Sequence, residues 1–424
     1  MKMQIRNRTL AITACLALLT GGAAVMMLTP DQAGQIEGVG EECTIGIASG
    51  RATSDGRPMI WKTRDMTNSD DNEVVYSTSG DINYISVNNA GSTTPWMGLN
   101  EDGFAILNSV SSDLDRGRRG PGNGRFMQMA LQSCSTVADF EKLLDQTNET
   151  GRTTQTNLAV MDATGAVAFF ETGDNEYWKF DANDPAVAPD GYILRANFAV
   201  NGGGRGGIER YRRTTELFKK FLAEDGINHR NILRTQMRDF SDRESRPVQV
   251  PFPGLWEDDL PAGYIHTGVS ICRSSSVSAA VFQGVRPGEP VRLSTMWVML
   301  GQPATSITIP YWAIGPTPPE SDGGSTSLLC DIALKIESLL FDLEDYPRLI
   351  DTYKLEDSRG RGLWLRTFAA EDSILTAAEA LLEKWRLQTP AVEEMSKAEA
   401  VFAGYALSVL QAGYQDLLTF VPER

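Results

Sequence analysis

The chain has 424 residues, 42% hydrophobic and 22% charged, which is the balance of a soluble globular protein with material for one large or two ordinary domains. A formal charge of −16 repels phosphate, arguing against nucleic acid or anionic lipid as the main partner. Two histidines, His229 and His266, and five cysteines without metal-ligand spacing argue against a zinc site and a disulfide scaffold, and no cofactor is expected.

In chain order, Lys2, Arg6 and Arg8 precede an uncharged apolar run, Leu10 to Leu28. Residues 1–28 therefore read as an export signal, or as an anchor if the run stays in place, since nineteen apolar residues just span a bilayer. The expected location is periplasmic or extracellular, with membrane contact only through residues 10–28. Cys15 precedes most of that run and reads as an ordinary apolar-segment cysteine. Residues 29–42 are polar and glycine-containing, a propeptide or linker.

From Cys43 the pattern turns to short strands. Asp55-Gly56 between two apolar runs predicts a hairpin. That turn sets Asp65 opposite Gly46 and Asn68 opposite Cys43, with Asp65 roughly 10 Å along the strands from the cysteine. Strict alternation puts Arg64, not Asp65, on the Cys43 face, and a bulge would exchange them. Residues 113–125 form a basic, glycine-rich loop, solvated or able to screen anionic substrate ends. A helix is expected over 126–146, two strands over 157–180 with a turn at Ala163-Thr164-Gly165, a strand over 191–200 and a helix over 209–226. Gly202 to Gly207 lacks the lysine and hydroxyl of a phosphate loop and reads as a flexible loop beside a cleft. Strand character resumes over 263–285 and 290–301. Ser274 to Ser276 lacks the flanking glycines of a nucleophile elbow. Residues 315–327 are a Pro/Gly/Ser linker, and 328–424 hold three helical stretches, either a domain or a layer laid on residues 43–314. Strands grouped together with helices inserted predict an antiparallel α+β layered domain.

The cysteine at 43 carries the chemistry. If the chain is cut after Glu42, Cys43 bears a free α-amine beside its own thiol. An α-amine titrates at about 7.7–8.0 and a thiol at about 8.5, so near neutrality the amine can take the thiol proton directly. This needs no histidine, which suits a chain that has two.

Cys-Thr opening a strand, an Asp-Gly turn and then Lys62-Thr63-Arg64-Asp65 resembles the start of the N-terminal-nucleophile cysteine hydrolases, in particular choloylglycine hydrolase, penicillin V acylase and the isopenicillin N acyltransferase-like group. GLNEDGFAILNS (98–109), ILRANF (193–198), ERYRR (209–213) and ICRSSSVSAAVFQGV with TMWVMLGQP resemble further segments of those families, in the same order. The resemblance spans about residues 43–312. It implies a four-layer αββα sandwich of two antiparallel sheets, with the tail after 318 as an added helical extension. It also implies Cys43 as nucleophile with its amine as base, Asp65 holding that amine, and Asn197 donating to the oxyanion. Asn108 is the candidate second donor. Arg210 would tune the thiolate or Asp65, with Arg212 and Arg213 as alternatives. Lys62 stands where the bile-salt branch has arginine and loses its bidentate fork, so Arg64 competes for that role.

The expected activity is an exported, self-processing amidohydrolase cleaving a linear C–N amide bond of a small N-acyl substrate through a thioester. An acyltransferase passing the acyl group to an amine, a dipeptidase of the same class, a Cys–His hydrolase using His266, and a non-catalytic envelope protein are the competing readings. Homo-oligomerisation is left open.

Overall fold

A computed structural model describes residues 42–67, 71–115, 119–256, 260–324 and 326–424. The expected signal and all of the propeptide but Glu42 lie outside the described residues, as does Asn68.

Strands β1 (Glu42–Ala48) and β2 (Met59–Asp65) open the chain, followed by β3 (Asn72–Ser77), β4 (Tyr84–Asn89), β5 (Pro95–Asn100) and β6 (Ala105–Val110). Helices α1 (Asn123–Ser133) and α2 (Val137–Thr150) precede β7 (Thr156–Met161), β8 (Val167–Thr172) and β9 (Tyr177–Asp181). Then come β10 (Tyr192–Arg195), α3 (Ile208–Ala223), β11 (Tyr264–His266), β12 (Ser276–Gln283), β13 (Thr295–Leu300) and β14 (Ile309–Tyr311). Helix α4 (Leu328–Leu340), β15 (Leu349–Asp351), α5 (Leu363–Leu387) and α6 (Val392–Leu417) complete it.

Two antiparallel sheets result, ordered β10-β1-β2-β12-β13-β14 and β3 through β9 in sequence, with β11 paired to β15 alone. Their facing sides bury Ile45, Ile47, Met97, Leu107 and Phe169 in one core. Outside the second sheet, α1 and α2 bury Phe126, Phe140 and Leu144 against Ile106 and Phe170. Outside the first, Phe218 of α3 stacks on Trp61 at 4.8 Å. Trp61 lies across Gly46, its partner on β1, where a Cβ would fall 2.0 Å from the indole. The architecture is the α+β sandwich of two antiparallel sheets between helical layers.

Three local expectations are corrected. The hairpin register is shifted: Cys43 faces Arg64 and Glu42 faces Asp65. Pairing stops at Ala48–Met59 because the connecting loop is drawn outward, with Ser49 N–H donating to Gly191 O (2.8 Å) and Ser54 N–H to Ile227 O (2.9 Å). The helix over 126–146 is two helices, broken where Thr136 caps α2 by accepting from the Asp139 N–H. Residues 157–180 hold three strands rather than two, because the chain reverses again after Thr172, where Gly173 N–H donates to Glu176 O.

The tail packs onto the sandwich. Trp385 of α5 meets Trp312 edge-on at 5.2 Å. Glu371 of α5, fully buried, pairs with Arg238 at 2.7 Å and accepts from Thr308 N–H at 2.9 Å. The Pro/Gly/Ser stretch runs along β3, where Thr317 Oγ1 donates to Val74 O (2.6 Å) and Val74 N–H to Ser321 O (3.0 Å). Among the described residues no helix is long and apolar enough to cross a membrane.

Candidate active site

Cys43 sits second in β1, completely buried. Directly opposed side chains share a face, so Cys43 points with Arg64 and Lys62 toward the second sheet. Arg64 donates there to Asn72 Oδ1 (2.6 Å) and Asn89 Oδ1 (2.8 Å) and lies over the Trp96 ring at 4.5 Å. Lys62 Nζ donates to Asn108 Oδ1 (2.8 Å) and Trp96 O (3.3 Å), beyond the point where β5–β6 pairing ends at Met97–Leu107. Asn108 Nδ2 donates to Thr156 Oγ1 at 3.3 Å. The Lys62–Asn108 pair thus bridges the two sheets.

The backbone of Cys43 faces a different group. Asn197 follows β10 and continues the Ile45–Arg195 register to a place opposite Cys43. Its Oδ1 accepts from Cys43 N–H (2.9 Å) and from Arg210 Nη2 (2.7 Å), and its Nδ2 donates to Val110 O (2.9 Å). These partners of fixed polarity set which way the amide points. Asn157 Nδ2 and Ser109 Oγ hold the carbonyls on either side of Asn197, at Ala196 and Phe198.

Arg210 stands in the first turn of α3. Gly207 caps that helix with φ +68°, a left-handed conformation that favours glycine, and a Cβ there would lie 2.4 Å from Arg210 Nη2. The buried guanidinium donates to Cys43 O and to Thr44 Oγ1 (3.0 Å), pairs with Glu42 at 3.1 Å and lies 3.9 Å from Asp65. Burial pulls its pKa down, and the neighbouring Arg273 adds to that.

Asp65 faces the α3 side of the first sheet. Its Oδ1 accepts from Ser276 Oγ at 2.7 Å. Its Oδ2 lies 3.4 Å from Arg273 Nε and has no hydrogen-bond donor among the described residues. Burial pushes the Asp65 pKa up against the pull of Arg273 and Arg210, and Glu42 pushes it further. Glu42 is half-exposed, its carboxylate held by both Arg210 and Arg273. Burial works to raise its pKa, but the two guanidiniums hold it below the usual range.

A cavity of about 800 Å³ opens beside Glu42, lined among others by Arg273, Ser276, Arg348, and Leu334 and Phe341 of the tail. Of the residues singled out in the sequence, Asn197 and Arg210 meet at the Cys43 backbone with Asp65 beside Arg210, while Lys62, Arg64 and Asn108 lie on the inter-sheet side with the Cys43 side chain. Arg212 is exposed and Arg213 pairs with Asp239 at 2.8 Å. His266 is in β11 with Nδ1 accepting from Gly268 N–H, and His229 stacks on Trp297 at 4.6 Å. Arg273 and Ser276 were not among the expected site residues, although a lone arginine just before the apolar run of β12 is a visible signal. The stretch 202–207, expected to be flexible, is tied down: Asp113 accepts from Gly204 N–H (2.8 Å) and Gly206 O accepts from Asn197 N–H (3.0 Å). Among the described residues no cluster of side chains is arranged to hold a metal ion.

No family model and no curated protein matches the chain. Among solved structures it is similar to penicillin V acylase from Agrobacterium tumefaciens, at 12% identity and a TM-score of 0.37, over 65% of this chain and 84% of that one. It is similar also to a variant of conjugated bile acid hydrolase from Clostridium perfringens, at 11% identity and 0.36, over 60% and 89%. A third is an N-acylethanolamine-hydrolyzing acid amidase ortholog from Caenorhabditis elegans, at 13% identity and 0.30, over 43% and 85%. Scores this low leave the chemistry to the residues around Cys43.

Proposed function

We propose that the chain is an exported, self-processing cysteine amidohydrolase that cleaves a linear amide bond of a small N-acyl substrate. The observation that carries this reading is the set of partners converging on one peptide bond, Glu42–Cys43: Asn197 on its nitrogen side, Arg210 on the following carbonyl, and Arg210 and Arg273 on the Glu42 side chain.

In maturation, Cys43 Sγ attacks the Glu42 carbonyl carbon. The peptide C–N bond breaks as the C–S bond forms, the thiol proton passes to the departing nitrogen, and water then hydrolyses the thioester. Residues 1–42 leave with a new carboxylate and Cys43 keeps a free amine. Asp65 Oδ2, a buried acceptor with no donor among the described residues, takes an N–H of that amine.

In turnover the amine accepts the Cys43 thiol proton and the sulfur attacks the substrate carbonyl. The second Nδ2 hydrogen of Asn197, beyond the one given to Val110, is the donor to the oxyanion; one such donor contributes about 3 kcal/mol. Collapse expels the substrate amine, which takes the proton from the Cys43 ammonium. Water then adds to the thioester, with the same amine as base, and releases the acid.

The test is Cys43→Ala. The variant is expected to keep its residues upstream of 43 and to hydrolyse no amide, because one sulfur performs both steps. A processed or active Cys43→Ala protein contradicts the proposal.

A further inference from the structure

Resting on that reading, we infer that the site prefers acyl groups carrying a carboxylate, with the spacing of a glutaryl or glutamyl chain. In the uncut chain the reacting carbonyl belongs to Glu42, so the Glu42 side chain occupies the position of the acyl substituent in any later substrate. That side chain is not idle. Its carboxylate is held by Arg210 at 3.1 Å and by Arg273, and it lies on the wall of the cavity rather than inside the core, with 52% of its side chain exposed.

The charges make the same point. Before cleavage, two guanidiniums, Arg210 and Arg273, face two carboxylates, Glu42 and Asp65. Departure of residues 1–42 removes one carboxylate from this group and leaves the two guanidiniums with Asp65 within it and a new amine beside them, while Glu337 lines the cavity farther along. An anion entering with the acyl chain restores the balance, and its desolvation cost is already met by guanidiniums fixed in place. Glu42 sets the length: three carbons separate its carbonyl carbon from its carboxylate carbon. The Oγ of Ser276 is committed to Asp65, so the arginines provide the charge recognition. Beyond them the cavity continues along Leu334, Phe341 and Arg348, which leaves room for a substituent on the carbon next to the carbonyl.

The experiment uses the mature protein with glutaryl-p-nitroanilide and its neutral isostere, 4-carbamoylbutanoyl-p-nitroanilide. The expected kcat/KM ratio favours the acid by about tenfold or more at low salt and shrinks as salt screens the contact. In Arg273→Gln the ratio falls toward one whatever activity remains, and Arg273→Lys restores part of it. Should those variants fail to fold, inhibition of the wild-type protein by 4-carbamoylbutanoate against pentanediamide gives the same comparison. A ratio of one or below, in protein that starts at Cys43 and hydrolyses the neutral amide, overturns the inference and leaves the amidase reading standing. Protein that starts at Cys43 and hydrolyses neither amide overturns both.

Discussion

Cys43 and Asp65 lie on opposite faces of the first sheet, yet in the proposed reading both serve one terminus. The thiol is directed by side-chain alternation, whereas the backbone nitrogen lies in the plane of the sheet, between Asn197 and the Glu42–Asp65 pair. A strict alternation argument concerns side chains and says nothing of an amine, so no bulge between β1 and β2 is needed. The bulge falls instead on β12 between Ser276 and Ser278, where it brings Ser276 opposite Asp65. Replacing Asp65 by Asn keeps the shape and the contact with Ser276 but turns an anion between two guanidiniums into a neutral amide that no longer holds the new amine. Asp65→Asn is expected to lower kcat/KM by about a hundredfold, the lower range for a misplaced general base, in steady-state hydrolysis. Unchanged kinetics would remove Asp65 from the account. Cys43, Asp65, Asn197 and Arg210 were candidates from the sequence because each sits in a short segment that carries the resemblance. The partnership of Arg273 and Ser276 with Asp65 was not legible there, because it comes from β12 pairing with β2 across about two hundred residues.

At the scale of elements, apolar periodicity located the strands and helices well and their ends poorly. The tail helices begin and end near their expected bounds. The β1–β2 hairpin slipped because Gly191 and Ile227 capture the loop backbone, a long-range effect that overrides a two-residue turn signal. What joins the tail to the sandwich is polar as well as apolar. Glu399 of α6 accepts from Trp312 N–H at 2.7 Å just after β14, and burial pushes its pKa up to about 8 from an ordinary 4.5. A carboxyl with a raised folded pKa binds its proton more tightly when folded, so the stability it contributes is complete below about pH 4.5 and is lost as pH rises through about 8. The Tm of the protein should therefore decline across that window. Glu399→Gln, which retains an acceptor for Trp312 without a titration, should flatten the decline in pH-dependent thermal melts. An equal decline in the variant would assign it to other groups.

Across the whole molecule, the tail is part of the candidate site's surroundings. Leu334 and Phe341 line the cavity beside Glu42, and Glu371 and Arg238 lock α5 to the sandwich through a buried ion pair. The apolar spacing of 328–424 predicts helices and is compatible with either a domain or a layer. Nothing in an amphipathic pattern says which surface its apolar face will cover. The layered α+β architecture was legible because grouped strands with inserted helices admit few packings. If one sulfur and one newly released amine at residue 43 act together, intact mass of the purified protein, taken before and after brief exposure to an activated acyl amide and quenched in acid, should show it. The expected result is the mass of residues 43–424 alone, then that mass plus one acyl group, lost on treatment with hydroxylamine as a thioester is. A chain retaining residues upstream of Cys43, or an acyl group carried elsewhere, would contradict it.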